Sequence, residues 1–131
     1  MIEGQGVTST KLAYIAGVLD GEGTLIIGKW PRKGNRLLGY RGCMAIANTY
    51  LPVLEYIQVL LGGSIVLQSK FSGPYAGTRC YSLTFTTNSI RQWLPKLLPY
   101  LIIKKTQAEV LLAFLARQAS NASAPVSDDL L

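Results

Sequence analysis

The sequence predicts an α+β domain in the order α-β-β-α-β-β-α-α: one four-stranded antiparallel sheet, helices on one face and the other face open. Three observations carry this expectation. A helix-like segment ended by glycines precedes two β-rich runs, and the same unit then recurs. The strand from Arg79 to Thr87 alternates cleanly, with Tyr81, Leu83 and Phe85 on one side and Ser82, Thr84 and Thr86 on the other. The chain has 131 residues, 49% of them hydrophobic, which suffices for one core and not comfortably for two.

The elements follow in order. Thr8 to Leu19 reads as a helix, with Thr8, Ser9 or Thr10 able to cap it and the Gly21/Gly23 pair stopping it. Thr24 to Trp30 and Leu38 to Asn48 form a hairpin whose tip, Pro31-Arg32-Lys33-Gly34-Asn35, is basic. In Thr49 to Leu61, Leu51, Leu54, Ile57 and Leu61 recur at helical spacing, Pro52 fits the first turn, and Gly62-Gly63 ends the helix. Ser64 to Phe71 and Arg79 to Thr87 make the second hairpin across a Gly/Pro turn. Asn88 or Ser89 caps a short helix reaching about Leu98, where Pro99 breaks it, and Tyr100 to Gln118 is the last helix. Residues 1–118 are expected to be one domain, and residues 119–131 a frayed tail.

Composition removes whole classes of chemistry. Histidine is absent, which excludes a Ser-His-Asp or Cys-His nucleophile and the usual His-containing zinc sites. The two cysteines, Cys43 and Cys80, are far apart and do not suggest a disulfide scaffold. No signal peptide pattern opens the chain, and the longest apolar run, Trp93 to Ile103, is broken by Pro95, Lys96 and Pro99. A soluble, intracellular protein without a membrane partner is expected. Its chemistry must come from Asp, Glu, Lys, Arg, polar side chains and a borrowed metal.

The charge is one-sided. Lys and Arg number 13 against 7 Asp and Glu, a net charge of +6. No acid lies between Gly23 and Leu54, where Lys29, Arg32, Lys33, Arg36 and Arg41 fall. None lies between Tyr56 and Ala108, where Lys70, Arg79, Arg91, Lys96, Lys104 and Lys105 fall. Such a surface attracts a polyanion, with nucleic acid the leading candidate and a plain solvated basic surface the alternative. With Leu25 and Ile27 against the helices, Ile26, Gly28 and Trp30 are left on the open face. Tyr40, Met44 and Ile46 pointing inward turn Arg41, Cys43 and Ala45 outward, while Gln68 and Lys70 are expected to share a face. Two twisted hairpins of this size fit a major groove. The expected DNA contacts are Ile26, Gly28, Trp30, Arg32, Lys33, Arg36, Arg41, Cys43, Gln68, Lys70, Arg79 and Ser82.

The end of the first helix carries the wrong charge. A helix C-terminus is a partial negative pole, so Asp20 and Glu22 are misplaced there. Two carboxylates beside glycine-exposed carbonyls suit a hard cation such as Mg²⁺; a plain glycine-rich stop with solvated acids is the alternative. On the same helix Ala13, Gly17 and Gly21 recur every fourth residue, a line along which a second helix can approach closely.

The segment Ile15-Ala-Gly-Val-Leu-Asp-Gly-Glu-Gly23 resembles the signature motif of the LAGLIDADG homing endonucleases, and that family has the same element order over most of the chain. The resemblance implies a site-specific DNA endonuclease making a metal-dependent double-strand break at a long, near-palindromic target, encoded by a mobile intron. One copy of the motif implies a homodimer through the motif helices, with Ala13, Ala16 and Gly17 at the interface and Asp20 supporting both the turn and the interface. It further implies that Glu22 and the Gly21 carbonyl hold Mg²⁺ or another divalent cation such as Mn²⁺, that Lys104 (Lys105 its rival) lies at the active site, and that Asn48 orders water there. Glu stands at 22 where the commonest pattern has Asp. The alternative reading is a cleavage-deficient DNA- or RNA-binding relative, an intron maturase or regulator; only then is RNA a partner.

Overall fold

The computed structural model describes residues 7–31, 38–70 and 79–120. The chain runs α1 (Ser9–Glu22), β1 (Gly23–Pro31), β2 (Leu38–Asn48), α2 (Leu51–Leu61), β3 (Ser64–Lys70), β4 (Arg79–Thr84), α3 (Thr87–Leu97), a 3₁₀ turn (Leu98–Tyr100) and α4 (Lys105–Ser120). The expected element order is observed. The strands form one antiparallel sheet in the order β1-β2-β4-β3, with each hairpin contributing two neighbours.

Several boundaries differ from the expectation, each for a local physical reason. Thr8 is the cap of α1, its hydroxyl accepting from Lys11 N–H at 3.2 Å. The helix does not stop at Leu19 but continues through Gly21 to Glu22, because Leu19 and Asp20 are both buried and held from outside the helix. At α2, Gly62 (φ 83°) takes the left-handed turn that closes the helix by its N–H on Gln58 O. The cap of α3 is Thr86, which accepts from Ser89 N–H, and not Asn88 or Ser89. Strand β4 therefore ends at Thr84. Pro95 sits inside α3 on its exposed side, and the backbone tightens into the 3₁₀ turn soon after. The last helix begins at Lys105 and not Tyr100, and it takes in Ala119 and Ser120. The remainder of the expected tail, 121–131, lies outside the described residues.

All four helices pack on one face of the sheet. Ile15, Ala16 and Leu19 of α1, Leu54 and Ile57 of α2, and Ile90, Leu94 and Leu97 of α3 join Leu111 and Leu115 of α4 over Leu25, Met44, Ile46 and Leu83. The pairing Leu25↔Met44 and Ile46↔Leu83 puts those strand residues on one side, as alternation requires. Ile27 and Tyr40 take the same side but remain 37% and 41% exposed, although α4 reaches that end of the hairpin, where Gln118 Nε2 donates to the Tyr40 carbonyl at 3.1 Å. No helix among the described residues is long and apolar enough to cross a membrane.

Leu94 is fully buried at the centre of this core. Leu94→Ala should destabilise the fold by about 2–5 kcal/mol, read as a lowered midpoint in urea at unchanged slope.

Candidate active site and nucleic-acid interface

Three chain segments meet at the C-terminal end of α1. The first is that end itself, Asp20-Gly21-Glu22; the second is Asn48, last residue of β2; the third is Ile102-Ile103-Lys104, the link before α4. The β1–β2 ladder begins at Gly23↔Ile46, so Glu22 stands just past its end, beside Asn48. Gly23 has to be glycine: a Cβ there would lie 2.5 Å from the Leu19 carbonyl oxygen. Helix therefore passes into strand with no intervening loop, and Glu22 is fixed at the junction.

The two misplaced acids have different fates. The Asp20 carboxylate is buried, and its Oδ2 accepts from Ile102 N–H (2.8 Å) and Ile103 N–H (3.1 Å) while Oδ1 accepts from Lys104 N–H (3.0 Å). The Lys104 ammonium donates to the Asp20 carbonyl at 2.6 Å. Burial pushes the Asp20 carboxyl up, but the three N–H groups and the neighbouring ammonium outweigh it and hold the carboxyl below its usual value. Glu22 is exposed, and Asn48 Nδ2 donates to its Oε1 at a long 3.4 Å. Asn48 Oδ1 in turn accepts from Tyr50 N–H at 2.8 Å, which fixes which end of the amide faces Glu22.

The last four carbonyls of any α-helix lack partners within it. In α1 the Leu19 carbonyl takes Gly23 N–H and the Asp20 carbonyl takes Lys104. The Gly21 carbonyl is next in line, on an exposed residue adjoining Glu22. A carboxylate and a carbonyl oxygen are donors of the kind Mg²⁺ and Mn²⁺ accept. Among the described residues no three of His, Cys, Asp and Glu gather as a metal cluster, so one chain offers Glu22 as its single free carboxylate at this spot.

The sequence places Glu22, Asn48, Gly21 and Lys104 in one neighbourhood, and the structure brings them together. Lys105 is exposed on the first turn of α4. Of the expected interface residues, Ala13 and Gly17 are exposed on one stripe of α1 with Gly21, and a Cβ at Gly17 or Gly21 would meet nothing within 4 Å. Ala16 and Asp20 are corrections. Ala16 is 0% exposed because it lies on the flank of α1 beside the stripe, packed into the core. Asp20 is turned toward the link before α4. Beside the stripe, Tyr14 meets Tyr56 edge-on at 6.0 Å between ring centroids, and with Tyr50, Pro52 and Val53 they line a shallow apolar groove.

On the open sheet face, Ile26 pairs with Cys43 and Gly28 with Arg41, and Ala47 pairs with Ser82. Ile26 is 51% exposed, Arg41 is exposed, and Gly28 and Cys43 are half-buried. Ser82 is only 7% exposed, because it sits on a central strand between Ala47 and Val66. Gln68 is exposed at a β-bulge between Leu67 and Ser69, and Cys80 Sγ lies 4.0 Å from its Oε1. The bulge breaks the alternation on which Gln68 and Lys70 were expected to share a face: Lys70 pairs with Arg79, a position out of phase with Cys80 and Ser82. Arg79 is exposed at the start of β4. Trp30 is in register opposite Gly39. Arg32, Lys33 and Arg36 lie outside the described residues.

No protein-family model matches this chain, and no curated protein sequence does. Solved structures do match. The homing endonuclease I-CvuI, in complex with the I-CreI target, is 24% identical with a TM-score of 0.69 over 87% of this chain and 71% of that one. The archaeal intron-encoded homing endonuclease I-Vdi141I, complexed with DNA, is 21% identical with a TM-score of 0.66, covering 85% and 70%. The group I intron-encoded I-CeuI, also complexed with DNA, is 21% identical with a TM-score of 0.69, covering 88% and 58%. I-GzeII, a LAGLIDADG homing endonuclease in complex with its DNA target, has a TM-score of 0.69 at 17% identity. The fold of this chain is therefore that of the LAGLIDADG homing endonucleases.

The lowered Asp20 pKa has a consequence for stability. A carboxyl whose folded value lies below its unfolded value of 3.8 contributes fully above that value and loses the contribution as pH falls through the folded one. Asp20→Asn should thus be less stable than the parent at pH 7 in EDTA. The gap should narrow as the pH falls below 3.8 and on through the lower folded value, measured by urea unfolding at each pH. A gap independent of pH would mean that the charge is immaterial.

Proposed function

We propose that this chain is a homodimeric, site-specific DNA endonuclease, encoded by a mobile intron, that makes a metal-dependent double-strand break at a long, near-palindromic target. The observation that carries the reading is Glu22: an exposed carboxylate at the negative end of a helix, steered by Asn48, two residues past the Asp20 carbonyl that takes the Lys104 ammonium. A carboxylate so placed raises the energy of the free protein unless a cation joins it. The fold shared with DNA-bound homing endonucleases supports the substrate class.

Glu22 and the Gly21 carbonyl would hold Mg²⁺ or Mn²⁺, which supplies positive charge against the oxygens of the phosphate under attack. Asn48, its amide oriented by Tyr50 N–H, has the geometry to fix a water through hydrogen bonding beside Glu22. Lys104 brings a fixed positive charge to the same spot. Ile26, Gly28, Arg41 and Cys43 would meet the groove from the open sheet face, where small side chains let bases approach. The hairpin tips with Arg32, Lys33 and Arg36, the strand ends at Trp30, Lys70 and Arg79, and Gln68 and Ser82 complete the proposed DNA contacts.

One carboxylate per chain is few for this chemistry, and a second chain doubles it. The exposed stripe Ala13-Gly17-Gly21 is the surface on which a second α1 would lie, bringing two Glu22 residues to one axis.

Two experiments test the reading. Glu22→Gln keeps the shape and removes the charge, so plasmid cleavage in Mg²⁺ should fall by about 1,000-fold or more while gel-shift affinity in Ca²⁺ is kept or improved. Cleavage near the parent rate would dismiss Glu22 as a metal ligand, and a parent that binds DNA without cutting it would assign the cleavage-deficient alternative. Gly17→Leu meets open space in the single chain, so it should fold with an unchanged spectrum yet sediment as a monomer. A dimer with full activity would move the interface elsewhere.

A further inference from the structure

The link Ile102-Ile103-Lys104 has almost nothing of its own to hold it. Ile102 is 85% exposed and Ile103 72%, so neither side chain anchors the backbone in the core. Leu101 before it and Ala108 after it are buried, while Lys105, Thr106 and Gln107 are exposed. No Ser, Thr, Asp or Asn stands there to cap α4, whose first turn is closed by Ala108 N–H on the Lys104 carbonyl. What holds the link is the Asp20 carboxylate, which takes the N–H of all three residues. The same residue also takes the far end of Lys104, whose ammonium lies 2.6 Å from the Asp20 carbonyl. Lys104 is thus gripped at both ends by Asp20.

We propose that Asp20 is the positioning residue for the Lys104 ammonium, setting where that charge stands by holding the backbone of residues 102–104. Its three accepted N–H bonds occupy the carboxylate. A lysine side chain has four rotatable bonds, and its reach depends on where its backbone is rooted. Without the carboxylate the link loses its anchor, and the ammonium leaves the end of α1. The functional part of this inference rests on the proposed endonuclease reading; the positional part does not.

The test separates the two. In the parent, the ¹⁵N-lysine NMR spectrum should show the Lys104 ammonium as a resolved, slowly exchanging signal, assigned by its loss in Lys104→Met. In Asp20→Asn that signal should broaden away. With Mg²⁺ and target DNA, Asp20→Asn should lower kcat by about 10- to 100-fold at little changed KM, the size of loss expected for a group displaced by roughly 1 Å. Lys104→Met should lose a similar factor, and the double variant should be no worse than the poorer single variant, because both act on one charge. An unchanged ammonium signal in a folded Asp20→Asn, or losses that multiply in the double variant, overturns the proposal. Should Asp20→Asn fail to fold, Asp20→Glu keeps the anion one methylene further out: a shifted ammonium signal supports the proposal, and a parent-like signal with the parent rate overturns it. If the parent cuts no DNA, the endonuclease reading fails, and the ammonium signal alone decides the position of Lys104.

Discussion

The structure turns on an exchange of charge between two helix ends. The C-terminus of α1 is a negative pole and the N-terminus of α4 a positive one, and each receives what it lacks from the other's neighbourhood. Asp20, at the end of α1, gives its carboxylate to the N–H groups leading into α4. Lys104, at the head of α4, gives its ammonium to a carbonyl of α1. The Asp20 carboxylate is buried, so its charge would be costly there without these N–H donors. Together the two contacts tie residues 82 to 84 positions apart in sequence, and with them the first and last helices of the fold.

That exchange explains why two acids only two residues apart behave as different chemical objects. The Asp20 carboxylate is buried and has three donors, so it titrates low and is structural. Glu22 sits two residues on, after the exchange is complete, where the Asn48 amide is a neutral and long contact. The helix end still repels it. Under the proposed reading a divalent cation takes that place, because the Lys104 ammonium is engaged at the Asp20 carbonyl. The placement of Gly23 finishes the arrangement, since the direct passage from helix to strand leaves Glu22 no loop in which to swing away.

Much of this was legible in the sequence, for reasons that differ by level. The element order followed from periodicity and glycine punctuation, which are local signals, and Glu22, Gly21 and Asn48 followed from the motif and its element context. Boundaries were missed where a distant partner decided them. The extra turn of α1 through Gly21 depends on Asp20 being held from the α4 link, and Ala16 could be assigned to the core only once the buried side of α1 was known. The bulge at Gln68 is a register event between strands, and no composition signal marks it. One clue to the Asp20 contact was present in the sequence. The segment leading into α4, Ile102-Ile103-Lys104, has no capping side chain, so a long helix starting there needs an acceptor from elsewhere. A buried acid with no local partner is the natural supplier.

The glycines of α1 point the same way as its acids. Gly17 and Gly21 each weaken a helix by about 1 kcal/mol relative to alanine, and neither is needed for space within the single chain. Alanine at either position would meet nothing within 4 Å. That cost is carried twice on one exposed stripe of α1. Under the proposed reading both costs are offset by one event: a second α1 closing on the stripe covers the glycines and brings a second Glu22, and the cation that neither chain holds well alone gains its full set of oxygens. Association and metal binding would then reinforce each other, because each removes a charge or a surface that disfavours the other.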